Sequence, residues 1–299
     1  MIREIIPGVY TADHAVAEGK NAIVVGQRAV WAIDAGTYAA EGQEMADFIR
    51  SLGRTPDRLL YTHGHGDHAL GSGAFRDALE IVAHELMPVE CRRLLPLLAG
   101  RAVKRPEELA AQIAWPTITF SHELTLDLGD RRLRLFPTPG HSQDGISVLL
   151  EEEKLLIAGD AVVTGIVPAI GDGDSRILQA TLEGLAQREI EILVPGHGPV
   201  IYGRGNVQDW LSWLADYLGD VRAAVRQALD AGTPPAEIVE GVEYNRFVGD
   251  RLPKDRHGMP KRHANTVRKI VEEEATTPLP ASPRLGEEPI QFPPQFGQG

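Results

Sequence analysis

Three imidazoles and a carboxylate fall within six consecutive residues of this chain, in the string Thr62-His63-Gly64-His65-Gly66-Asp67-His68. Side chains this polar and this close together cannot all face a hydrophobic core. Each imidazole offers a neutral nitrogen donor and Asp67 adds negative charge, a set that suits zinc, iron or manganese better than calcium. Gly64 and Gly66 let the backbone turn sharply, so that alternate side chains can converge on one point. A purely structural zinc site would be expected to use cysteine, and the single cysteine, Cys91, lies in a distant helical stretch.

Three further strings share one design, a small or rigid residue followed by a ligand-type side chain. They are Pro137-Thr138-Pro139-Gly140-His141-Ser142, Ala158-Gly159-Asp160 and Val194-Pro195-Gly196-His197-Gly198. Each stands at the end of a predicted strand, where a loop can carry chemistry. Glycine lets backbone crowd a cation, and proline fixes the loop that presents the ligand.

The elements that must hold these loops are legible as apolar runs. Residues 22–26 and 29–33, split by Gln27-Arg28, predict a hairpin. Met45, Phe48, Ile49 and Leu52 predict a helix over 38–52, stopped by Gly53. Residues 58–62 read as a strand leading into the His63 loop, and 80–83 as another. A helix is expected over 85–99, with Pro96 kinking or ending it. Residues 117–120, 124–128 and 132–136 predict an antiparallel meander. Residues 146–150 and 155–158 pair across an acidic turn, 174–189 form a helix capped by Asp174 or Ser175, and 192–194 are a last strand. Beyond Gly198 helices are expected over 206–231, 236–242 and 262–274, then a Pro-rich flexible tail over 277–299. The fold class is α/β (α+β), strand pairs and meanders interrupted by helices rather than strict βαβ alternation.

The ordered set His63, His65, Asp67, His68, then His141, Asp160 and His197, resembles the metallo-β-lactamase-fold hydrolases, and among them the glyoxalase II-like branch, over about residues 1–200. The resemblance implies a four-layer αββα sandwich with two metals at one edge and a C-terminal helical extension that grips substrate. It places a catalytic domain at 1–202, the extension at 203–276 and the tail at 277–299. By motif position His63, His65 and His141 would hold the first metal, Asp67, His68 and His197 the second, and Asp160 would bridge them. Two divalent ions are implied, zinc foremost, with iron or manganese as alternatives. The expected reaction is attack of a metal-bridging hydroxide on a small ester, thioester or lactone, since a bound metal lowers the pKa of water to about 7. Asp67 would accept and return the proton, the one catalytic role given to a protein side chain.

Departures from relatives narrow this reading. Asp160 stands where zinc β-lactamases of one branch place cysteine, so β-lactamase activity is an alternative rather than the expectation, as is phosphodiesterase activity on the same fold. His65 stands where diiron flavoproteins of this fold carry glutamate. The stretch from His141 to His197 is too short for the domain inserted in messenger-RNA-processing nucleases. A mononuclear iron persulfide dioxygenase, using His63, His141 and Asp160, is the other alternative.

The 299 residues, 43% apolar, can bury a substantial core. A formal charge of -12 disfavours nucleic-acid and anionic-membrane partners. One cysteine excludes an intrachain disulfide and fits a reducing compartment. With no signal-like start and no apolar run near the roughly 18–20 residues of a membrane span, the expectation is a cytoplasmic protein acting on a small molecule. The aromatic content of the 206–231 helix makes a homodimer one option.

Substrate clues are local. Lys254, Arg256, His257, Lys261, Arg262 and His263 read either as an anion-binding strip or as a solvated balance to Glu272–Glu274. The apolar stretch 165–170 could wall an acyl chain or pack beneath the metals. His14 belongs to the site rim or the surface, and Trp210 with Trp213 to core or interface.

Overall fold

The computed structural model describes residues 1–16, 18–170, 172–253 and 258–276. Two mixed sheets dominate it. The first runs in sequence order: β1 (Ile2–Ile6), β2 (Val9–Asp13), β3 (Lys20–Val25), β4 (Val30–Ile33), β5 (Arg58–Leu60), β6 (Glu80–His84) and β7 (Ile118–Phe120). The second contains β8 (Leu124–Asp127), β9 (Arg132–Pro137), β10 (Ile146–Leu150), β11 (Leu155–Ile157), β12 (Ile192–Val194) and β13 (Ile201–Tyr202), also in order.

Side chains alternate across a strand, so each sheet has two faces to cover. Val24, Trp31, Ile33, Leu60 and Val82 of the first sheet meet Leu133, Val148, Leu155, Ile157 and Val194 of the second in one buried layer. The residues between them, Ile23, Ala32, Leu59 and Ile81, face outward under α1 (Ala39–Ser51), α3 (Met87–Ala102) and α4 (Pro106–Ala110). A single-turn helix, α2 (Gly66–Ala69), follows β5. Leu156 and Leu193 face outward under α5 (Ser175–Ala186), α6 (Arg204–Asp230), α7 (Pro235–Gly241), α8 (Tyr244–Val248) and α9 (Met259–Thr276). Helices, sheet, sheet, helices is the expected four-layer αββα order. Among the described residues no helix is long and apolar enough to cross a membrane.

Two expectations are corrected. The 117–120 strand does not join a meander: β7 pairs in parallel with β6, and antiparallel pairing resumes only at β8 with β9 and β9 with β10. Helix α3 runs through Pro96 to Ala102. Proline removes one backbone hydrogen bond, but the buried stripe Met87, Cys91, Leu95 and Ala99 anchors both sides of it to the first sheet. Strands β1, β2 and β13 and helix α8 go beyond the apolar runs read from the sequence.

Strand direction sets where the loops emerge. β4, β5 and β6 are mutually parallel. β9 and β11 each run antiparallel to β10, and β12 runs parallel to β11. The chain therefore leaves β9, β11 and β12 at one edge. The backbone joins the two sheets there: Ile146 N donates to Thr62 O (2.9 Å), Lys20 N to Gly196 O (2.8 Å) and Gly198 N to Glu18 O (3.0 Å).

Candidate metal centre

All seven side chains singled out as ligand candidates lie together at this edge. The first loop is shaped from beneath by Asp34, at the end of β4. Its carboxylate accepts from Thr62 N (2.8 Å), Thr62 Oγ1 (2.7 Å) and His68 Nδ1 (2.9 Å). Asp144 Oδ2 takes the backbone N–H of Gly64 (2.7 Å), pinning the turn between His63 and His65. His65 is the N-cap of α2, so His68 comes round one helical turn later and faces the same space.

The other loops close on this one. Gly140 has φ +127, and a Cβ there would lie 2.3 Å from the backbone of Leu178; only glycine brings His141 in under α5. His141 Nδ1 donates to Ala169 O (2.7 Å), which turns Nε2 inward to 2.9 Å from His65 Nδ1. Asp160 lies in a tight turn after β11. A Cβ on Gly196 would fall 1.9 Å from Asp160 Oδ1, so glycine is what admits His197 beside that carboxylate.

Asp160 is the hub. Oδ1 is 3.2 Å from His68 Nε2, and Oδ2 is 3.3 Å from both His141 Nε2 and His197 Nε2. Asp67 Oδ2 is 3.3 Å from His197 Nε2 and 4.0 Å from His68 Nε2. The donors fall into two groups, each with its atoms within 4.8 Å of one another: His63, His65, His141 and Asp160, then Asp67, His68 and His197.

The electrostatics call for a cation. Burial works against charge on His68, yet Asp160, Asp34 and Asp67 together hold its pKa well above the ordinary value. Burial likewise opposes charge on His197, and Asp160 and Asp67 overcome it, pushing the pKa up to about 9. Asp67 and Asp160 sit below the carboxylate range because their imidazole neighbours outweigh burial. By contrast burial keeps His141 neutral, with a pKa of about 4. His63 Nε2, His68 Nε2 and Asp160 Oδ1 are buried with no hydrogen-bond partner, the last two facing each other without the alignment of a hydrogen bond. Buried polar atoms are seldom left so. Two ring nitrogens 2.9 Å apart, as in His65 and His141, are satisfied by a shared proton or by a metal ion. These residues fit divalent cations.

Other candidates separate. His14 is 4% exposed, its ring edge-on to His68 (5.8 Å) and His197 (5.7 Å); burial and those two rings lower its pKa to about 4, and it joins neither donor group. Stretch 165–170 packs inward through Ile166, Val167 and Ile170, beneath the donor cluster rather than as an open wall. Its carbonyls at Val167, Pro168 and Ala169 accept from Arg262 Nε (2.6 Å), Thr266 Oγ1 (2.8 Å) and His141 Nδ1 (2.7 Å). Of the basic strip, Lys254, Arg256 and His257 lie outside the described residues, as does the 277–299 tail. His263 is structural, held between Tyr217 Oη (2.7 Å) and Val242 O (2.8 Å). Trp210 and Trp213 pack against the outer core, with Trp210 Nε1 donating to Val163 O. Cys91 is buried among apolar groups, its pKa pushed up to about 12, and is not a ligand.

Sequence reasoning missed three supporting acids. Asp34 had a signal, an acidic residue ending a buried strand just before Ala35-Gly36. Asp144 lay three residues past His141. Asp172 had none: its Oδ2 accepts from His65 Nε2 (2.7 Å) across 107 positions.

Comparison with known proteins agrees with this geometry. The profile of the Metallo-beta-lactamase superfamily matches residues 17–197. An atrochrysone carboxyl ACP thioesterase of Passalora fulva is 28% identical over 202 residues, 65% of this chain and 51% of that protein. The chain thus spans about half the length of that relative. A hydroxyacylglutathione hydrolase of Francisella tularensis subsp. novicida is 26% identical over 208 residues, 68% of this chain and 73% of its own. Among solved structures, a metallo-beta-lactamase family protein from Thermus thermophilus superposes with TM-score 0.68 at 19% identity, covering 91% of this chain and 95% of that one. The sec-alkylsulfatase Pisa1 from Pseudomonas sp. gives 0.68 at 14% identity, over 93% of this chain and 52% of its own. The profile match takes in more than half of the sequence and ends on His197, the last of the clustered side chains, and the chain belongs to the metallo-beta-lactamase superfamily.

Proposed function

We propose that this protein is a hydrolase that uses two divalent cations, zinc foremost, to cleave a small ester, thioester or lactone. The observation that carries the reading is the position of Asp160, one carboxylate within 3.3 Å of imidazoles from both donor groups. His63, His65 and His141 would hold one cation, Asp67, His68 and His197 the other, and Asp160 would span them. When bound, such cations supply a water whose pKa falls to about 7 and a Lewis acid for the carbonyl oxygen.

The chain's own residues prepare that chemistry. Ala169 O, Asp34 and Asp172 each take the outer N–H of one imidazole, fixing the tautomer of His141, His68 and His65 so that the other nitrogen points inward. Asp67, with its side chain 25% exposed, is the cluster member most open to solvent among those whose acid form is suppressed, so it can take and return a proton at its carboxylate. The completeness of the second donor group favours two cations over a mononuclear iron dioxygenase. The named hydrolase and thioesterase relatives support an acyl-transfer substrate. On this reading 1–202 form the catalytic domain and 203–276 an extension whose α9 braces the 165–170 stretch.

The test is metal quantification on purified protein, followed by a screen of thioesters, lactones, β-lactams and phosphodiesters. Asp160→Ala should lose metal and at least about a thousandfold in turnover. Full activity in that variant without bound metal would refute the reading, and one iron per chain with oxygen uptake on glutathione persulfide would replace it with the dioxygenase.

A further inference from the structure

Helix α3 carries two apolar faces. Met87, Cys91, Leu95 and Ala99, four residues apart, pack on the first sheet. Leu94, Leu97 and Leu98 fall on a second face and line a cleft of about 400 Å³. Leu97 is 54% exposed. A leucine face left in water costs free energy and marks a surface that receives something.

The cleft opens on the metal centre itself. His65 and Asp67 are part of its wall. A Cβ added to Gly66, between them, would lie 2.9 Å from Leu98 and 3.1 Å from Leu70. Leu98 therefore lies against the loop that bears the donors. From Leu94 to Arg101, which also borders the cleft, is seven residues, about 10 Å of helix. The Arg101 side chain makes no hydrogen bond or ion pair among the described residues, so the apolar wall stops at an unpaired guanidinium.

We propose that this cleft is the acyl-chain subsite, selecting unbranched medium-length chains, near octanoyl, on the acyl side of the scissile bond. The inference rests on the hydrolase reading for the bond that is cleaved, and on the cleft alone for the chain that is bound. A chain lying on Leu94, Leu97 and Leu98 has His65 and Asp67 in the same cleft to receive its carbonyl end, with Leu98 against the loop between them. An extended apolar chain is the occupant that fits: the walls offer apolar contact, and the donor cluster sits where a carboxyl or carbonyl head would lie.

Two measurements on the metal-loaded full chain separate this inference from the function it rests on. The first is calorimetric binding of straight-chain carboxylates, acetate to dodecanoate, which needs no turnover. Affinity should rise about two- to fourfold per methylene up to octanoate and then level off. The second is kcat/KM for the matching acyl thioesters and p-nitrophenyl esters, expected to follow the same curve. Leu97→Gln, at a half-exposed position, should flatten both curves, and Leu98→Trp should move the optimum to shorter chains. Val103→Asn, beyond the cleft and 92% exposed, should leave both unchanged. Equal affinity for acetate and octanoate overturns the proposal, as does a slope indifferent to Leu97→Gln. So does a concentration-dependent dimer that buries Leu97 and excludes octanoate. Chain-length-dependent binding with no hydrolysis of any ester or thioester sustains the subsite and removes the hydrolase reading instead.

Discussion

His68 and Asp34 form a buried pair, Nδ1 to Oδ2 at 2.9 Å, and the same carboxylate holds both donors of Thr62. One side chain thus fixes the imidazole of one candidate ligand and the start of the loop that carries three more. Asp34→Ala strands the buried N–H and hydroxyl of Thr62 and the N–H of His68, a loss of about 2–4 kcal/mol in stability. It should also weaken metal binding about 10- to 100-fold. Asp34→Asn, which tolerates the φ of +57 at this position, should fold better yet still bind metal more weakly. Denaturant titration and competition with a chelating dye check both.

Gly196→Ala tests crowding rather than charge. The added methyl would press on Asp160 Oδ1, the atom that faces His68. The methyl would also meet the Gly159–Asp160 backbone at 2.7–2.8 Å, so the turn must shift. We expect a less stable protein, by denaturant titration, that retains less than about a tenth of the metal of the parent, as a displacement of the proposed bridging carboxylate costing more than about 1.4 kcal/mol predicts. Normal metal content would show that the Asp160 position is not required.

The metal-free protein should have a bell-shaped stability profile. His14 and His141, lowered to about 4 chiefly by burial, bind fewer protons folded than unfolded between about pH 4 and 6.5, so stability rises with pH across that range. His197, raised to about 9 by Asp160 and Asp67 against the effect of burial, behaves oppositely. Its contribution is full below about 6.5 and is lost as pH climbs through about 9. Thermal scans of chelator-stripped protein should peak near about pH 6.5. Metal must displace the His197 proton, so loading at about pH 7.5 should release protons, readable as a buffer-dependent heat. A monotonic scan with no release would contradict this.

Helix α9 braces the donor cluster through stretch 165–170, and the buried Arg262 also lies within electrostatic reach of Asp160 and Asp67. Arg262 Nε and Thr266 Oγ1 hold the Val167 and Pro168 carbonyls, and the next carbonyl, Ala169, holds His141. Arg262→Met and Thr266→Val each remove one hold, about 1 kcal/mol apiece. Loosening the stretch should speed metal loss to excess chelator about three- to tenfold. Unchanged release rates would mean that Ala169 is fixed without α9.

Sequence carried most of the site because each candidate ligand sits in a short string with its own glycine or proline. His63, His65, Asp67 and His68 are neighbours in the chain, and Gly140 and Gly196 announce His141 and His197. The partners that orient them are distant. Asp172 reaches His65 over 107 positions, and nothing in its neighbourhood marks it. Long apolar strands such as β3, β4 and β10 were legible, whereas β7 was assigned to the wrong partner because three residues do not encode which sheet they join. The leucines at 94, 97 and 98 look like any helix face until α3 is placed against the Gly66 loop.

Seven strands in order build one sheet and the next six build the other, so the chain crosses between them once, at Ser121–Glu123. His63, His65, Asp67 and His68 precede that crossing; His141, Asp160 and His197 follow it. The centre is a seam between two half-chains. A single peptide cleavage there would leave each fragment with an incomplete donor set, and only the apolar layer between the sheets, by re-docking the two pieces, would restore it.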